Sequence, residues 1–166
     1  MKRGGYFPII VVLFLTLFPQ SGSGEAGEKT LHENIFVEIF LSPEHRKDAG
    51  GVQETFNKLG IKRVRIQFHR LGISPKNIAI GKDIPASVAR IALRMAIDYN
   101  DGINALLPEY RFFPTQIAIG SSAFDEKSEV PLSQEALQKL LDPGLTNETF
   151  HFLYRHLTEK DVRFLK

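Results

Sequence analysis

Ser74-Pro75-Lys76-Asn77-Ile78-Ala79-Ile80-Gly81 returns 39 residues later as Phe113-Pro114-Thr115-Gln116-Ile117-Ala118-Ile119-Gly120. In each copy a polar residue, isoleucine, alanine and isoleucine alternate, the period of two that sends successive side chains to opposite faces of a strand. Each copy closes on glycine and is followed, after a loop, by a proline at the head of a helical pattern: Ile84-Pro85-Ala86-Ser87 and Val130-Pro131-Leu132-Ser133. Proline is tolerated there because the first amides of a helix lack intrahelical partners anyway. Each copy therefore reads as strand, glycine turn, helix. The echo fits a duplicated unit or two strands that meet the same packing demand.

Outward from these strands, residues 35–41 alternate again, with Ile35, Val37, Ile39 and Leu41 on one side and Phe36, Glu38 and Phe40 on the other. Val52, Phe56 and Leu59 fall at helical spacing, and Gly60 stops that helix. Residues 63–70 form a second alternating strand, Val64, Ile66 and Phe68 inward, Arg63, Arg65, Gln67 and His69 outward. Residues 85–100 are apolar on most sides and predict a helix lying on the sheet. Residues 103–113 read as a packed connection broken by Pro108. Asp142-Pro143-Gly144 ends a third helix, and Thr146 caps a fourth whose apolar side is Phe150, Leu153, Tyr154 and Leu157. The order predicts an α/β (α+β) two-layer sandwich: a sheet of about four strands, helices mainly on one face, of split-βαβ kind. In outline it is similar to small envelope modules such as the SPOR domain, a likeness of architecture that implies a ferredoxin-like sheet binding septal glycan.

If every aliphatic stripe faces the helices, the opposite face collects Phe36, Glu38, Phe40, Arg63, Arg65, Gln67, His69, Asn77 and Gln116 around Ala79 and Ala118. Aromatic rings stack on sugars, and arginine forks carboxylates or phosphates with paired donors. These nine residues are the candidate ligand-binding set, for an envelope glycan or a partner protein. The competing reading is a solvated face with Glu38 and Arg65 as a cross-strand ion pair, or Phe36 and Phe40 covered by the last helix.

The N-terminus carries Lys2 and Arg3, an apolar run from Tyr6 to Phe18, and small residues from Ser21 to Gly24. That is the plan of a signal peptide, here residues 1–26, followed by a polar lead-in over 27–34 and one domain over 35–166. At 1.5 Å per residue the apolar run reaches roughly 20 Å, short of the roughly 30 Å of a bilayer core. Cleavage is thus expected, with an uncleaved inner-membrane anchor as the alternative and the chain's one membrane contact. The expected location is periplasmic or extracellular. The chain has no cysteine, which excludes a lipidated cysteine, a disulfide framework and a thiolate metal site. A net charge of +2 speaks against a nucleic-acid partner, which needs a basic field.

Catalytic signatures are sparse. Gly120-Ser121-Ser122 lacks the G-x-S-x-G elbow, and Gly81-Lys82-Asp83 lacks the phosphate-loop pattern. His151 and His156 are five apart rather than four, and Asp125, Glu126 and Glu129 lack calcium-loop spacing. No catalytic residue, metal ligand or cofactor is nominated. The expected function is a non-enzymatic envelope binding module, with a scaffold docking through the C-terminal helix as the alternative and a hydrolase centred on Ser121 as a third.

Overall fold

The computed structural model describes residues 32–69, 75–108, 114–122 and 129–159. The expected signal segment, residues 27–31 of the lead-in and the acidic residues Asp125 and Glu126 lie outside them. The elements are β1 (Phe36–Leu41), a 3-10 turn (Pro43–Asp48), α1 (Ala49–Lys58), β2 (Arg63–Phe68), β3 (Asn77–Ile80), α2 (Ala86–Tyr99), β4 (Ala105–Leu107), β5 (Gln116–Ile119), β6 (Val130–Pro131), α3 (Gln134–Leu141) and α4 (Asn147–Glu159). His32 Nδ1 lies 2.6 Å from the Leu59 carbonyl, and Lys62 donates to Glu33 at 2.8 Å.

The fold is mixed α/β, with one six-stranded sheet in the order β2-β1-β5-β3-β4-β6. The expectation of about four strands is corrected by β4 and β6. β4 lies inside the segment read as a connection. β6 ends on Pro131, read as the start of a helix; as an edge strand it tolerates a proline, and Val130 stands opposite Leu106. α3 begins three residues beyond that proline, where Ser133 Oγ accepts the Ala136 amide at 3.2 Å.

The split-βαβ and ferredoxin-like arrangement is corrected as well. β1 and β2, joined through α1, are direct parallel neighbours, and so are β3 and β4, joined through α2. Two ordinary βαβ units thus stand side by side, and β5 fills the gap between them, parallel to β1 and antiparallel to β3. The two echoed segments are therefore the central antiparallel pair. Ile78 stands opposite Ile119, Ala79 opposite Ala118, and Ile80 opposite Ile117. Gly81 donates to the Gln116 carbonyl at 2.8 Å and Gly120 to that of Asn77 at 2.9 Å, so each copy closes on the start of the other. Gly120 has φ +66°, a backbone that side chains beyond glycine adopt at a cost.

The core lies between the aliphatic sheet face and the helices. Val37 and Ile39 of β1, Ile78 and Ile80 of β3, Leu106 of β4 and Ile117 and Ile119 of β5 share one buried cluster with residues of all four helices. Ala89, Ala92 and Ala96 let α2 approach the sheet closely, and each is fully buried. α4 adds Phe150 and Tyr154, their rings 6.4 Å apart and nearly parallel. The Tyr154 hydroxyl reaches the sheet: it accepts the Ile80 amide at 3.2 Å and donates to the Leu107 carbonyl at 2.7 Å. It thereby links β3 to β4 where the next residue, Pro108, has no N–H to offer. α4 also caps α2, since Asn147 Oδ1 accepts the Ala86 amide at 2.7 Å. That supplies what Pro85 cannot, a side-chain acceptor for an N-terminal amide.

Candidate binding face

Strand register decides which candidate residues share a face. Phe36 stands beside Arg63 on one side and Gln116 on the other, Glu38 beside Arg65 and Ala118, and Phe40 beside Gln67. Across the central pair Ala118 meets Ala79. Strand alternation puts these residues on the face away from the helices, with Asn77 two residues before Ala79 and His69 just beyond β2.

Within that face the structure draws a division. Over β3, β4 and β5 beyond Gln116 it is closed: Ala79, Leu107 and Ala118 form a second buried cluster, and Asn77 is 1% exposed. The alanines, read as the floor of a trough, mark a packed surface instead. Asn77 is committed to the backbone. Its Oδ1 accepts the Ser121 amide at 3.0 Å, its Nδ2 donates to the Ser121 carbonyl at 3.0 Å, and Glu129 accepts from the same amide group. A buried asparagine with both ends satisfied offers a ligand nothing, so the structure removes Asn77 from the accessible set. Ser121, the serine of the hydrolase reading, is itself buried.

Over β1 and β2 the face is accessible. Arg63 Cζ lies 5.5 Å above the Phe36 ring, a cation–π contact that holds the guanidinium over the strand start. An open depression of about 460 Å³ adjoins it, lined by Phe36, Arg63, Pro114, Thr115 and Gln116. Farther along, Glu38 Oε1 accepts from Gln67 Nε2 at 3.1 Å and lies 3.5 Å from Arg65 Nη1. With Arg65 63% exposed this pair contributes at most about 1 kcal/mol, because water and salt screen it. Phe40 and His69 sit ring to ring at 5.4 Å, and His69 Nε2 is 3.0 Å from the Gly120 carbonyl. Phe36 and Phe40 are half-buried and stand outside the cluster that contains α4, so that helix does not cover them.

The carboxylates held below their usual range lie off this face. Glu33, Glu54 and Glu135 each accept a hydrogen bond from a lysine, Lys62, Lys58 and Lys139 respectively, whose charge favours the ionised acid. Among the described residues Glu44, His45 and Asp101 form one set of potential metal ligands. Their separation in sequence hides it from any spacing motif. Among the described residues no helix is long and apolar enough to cross a membrane. No family model, no curated protein and no solved structure matches this chain.

Proposed function

We propose that the chain is an exported, non-enzymatic binding module that holds an acidic glycan of the cell envelope over the start of β1, β2 and β5. The observation that carries this reading is the Arg63–Phe36 pair at the rim of the roughly 460 Å³ depression. The ring fixes the guanidinium, whose planar fork matches a carboxylate bidentately. Thr115 and Gln116 add hydroxyl and amide groups suited to sugar hydroxyls, and Pro114 adds an apolar edge. In this reading the domain is a two-layer sandwich, its helix layer supporting the sheet from one side and leaving the β1–β2 region for ligand. Residues 1–26 deliver it beyond the inner membrane, supported by Lys2 and Arg3 before the apolar run and the small residues after it. N-terminal sequencing of the protein from an envelope fraction checks the export step, and an intact Met1 contradicts cleavage.

The binding step is tested by titrating the purified protein with uronic-acid oligosaccharides and with solubilised cell-wall glycan. Arg63→Ala is expected to weaken binding at least tenfold, and Arg63→Lys nearly as much, since an ammonium lacks the fork. Arg94→Ala, on the exposed side of α2, leaves it unchanged. Equal affinities for the native protein and Arg63→Ala, or no glycan bound at all, refute the reading.

A second reading, a subunit docking through α4, has its own observation. Phe152 is 67% exposed, stacks on His156 at 6.2 Å, and lines a surface depression of about 320 Å³ with Glu148, Thr149 and Arg155. Because Phe150 and Tyr154 belong to the core, docking uses the outer face alone. Phe152→Ser should abolish a complex and leave the domain folded; retention of the complex contradicts it.

A further inference from the structure

We infer that Glu44, His45 and Asp101 form a binding site for one divalent transition-metal ion, with Zn²⁺ as the best match. One oxygen or nitrogen from each of the three lies within 4.8 Å of the other two. They come from separate segments, the 3-10 turn after β1 and the turn between α2 and β4. Both turns sit at one end of the sheet, because β4 runs opposite to β1.

The imidazole is the informative group. Asp48 Oδ2 lies 3.3 Å from His45 Nδ1, the outer carboxylate that commonly orients a metal-bound histidine and fixes its tautomer. The other ring nitrogen, Nε2, lies 3.8 Å from Asp101 Oδ1. That distance is too long for a hydrogen bond. It does fit two donors of one ion, each about 2.0–2.2 Å from the metal. Glu44 is exposed and has the rotamer freedom to close on a third position. Mixed imidazole and carboxylate donors select zinc-like ions over Ca²⁺ and Mg²⁺, which take all-oxygen sets. Three protein ligands leave a position for water, and the bound ion clips the two turns together.

The test uses the full chain after chelation and dialysis, titrated with Co²⁺ as a visible-absorbing substitute and then with Zn²⁺ in competition. The expected result is one ion per chain, tetrahedral Co²⁺ bands that Zn²⁺ erases, and a rise in unfolding temperature that grows with free metal. His45→Gln and Glu44→Gln should each lower affinity at least tenfold. Asp101→Asn should do the same while keeping the backbone, since asparagine tolerates the φ of +54° found there. Asp48→Asn, which acts through His45, is expected to cost about 10–100-fold. The glutamine and asparagine variants replace half-buried or exposed groups, and circular dichroism confirms their folding. Absence of binding below millimolar metal, or affinity unchanged in both His45→Gln and Glu44→Gln, overturns the inference.

Discussion

Replacing Tyr154 by phenylalanine removes one oxygen from the centre of the molecule and leaves the ring where it is. The ring is fully buried against Phe150, so no cavity larger than a hydroxyl opens. What changes is the hydrogen bonding of the Ile80 amide at 3.2 Å and the Leu107 carbonyl at 2.7 Å, with the Ile78 carbonyl at 3.2 Å sharing the same hydroxyl proton. All three residues are fully buried, so water cannot replace the hydroxyl. A buried group left unpaired costs about 1–3 kcal/mol, and two of them put the loss near 2–4 kcal/mol after local relaxation. Against a total stability of about 5–15 kcal/mol for a typical domain this is large. Urea unfolding followed by circular dichroism should show the midpoint falling by about 1–2 M at a slope near 2 kcal/mol/M, with the slope unchanged. Hydrogen exchange should lose protection at Ile80 before the other β3 amides. A midpoint within about 0.3 M of the parent, or an Ile80 amide as protected as before, refutes the claim that this hydroxyl completes the sheet.

Ala118→Leu places three extra carbons in the closed part of the sheet face, against Ala79, and should destabilise by about 1–3 kcal/mol, read as a lower unfolding temperature; a neutral result shows that the face is open after all. Asn147→Ala removes the acceptor for the Ala86 amide at the head of α2 and should cost about 0.5–2 kcal/mol in chemical denaturation, whereas Asn147→Asp, which keeps an oxygen there, should not. Glu33, Glu54 and Glu135 are held below the ordinary glutamate value by their lysines, so their contribution to stability is present above that value and is lost as pH falls through the lowered folded values. Acid titration of Glu33→Gln, Glu54→Gln and Glu135→Gln combined should therefore show a shallower fall than the parent at low salt, and the difference should vanish at high salt.

Much of this architecture is visible in local periodicity. The alternation over β1, β2, β3 and β5 assigns faces correctly, because a period of two is a property of the strand alone. β4 escapes because Ala105, Leu106 and Leu107 are buried on both faces and show no alternation. β6 escapes because two residues ending in proline resemble a helix start. Strand order is set by pairings between distant segments, which no local pattern encodes. Burial of Asn77, Ala79 and Ala118 likewise depends on what lies over them, so small residues that suggest a trough can equally mark tight packing. The Glu44, His45 and Asp101 set depends on the same long-range placement.

The position of β5 has a consequence for the order in which the protein can be made. β1, β2, β3 and β4 all precede it in the chain, yet β1 and β3 have no partner on their facing edges until Gln116–Ile119 arrives between them. A nascent chain that stops short of Gln116 holds two half-sheets with open inner edges, the kind of surface that pairs with other chains. Completion of the fold is thus deferred until about two thirds of the polypeptide exists. The delay makes the short β5 segment the point at which truncated products divide into those that can close and those that aggregate.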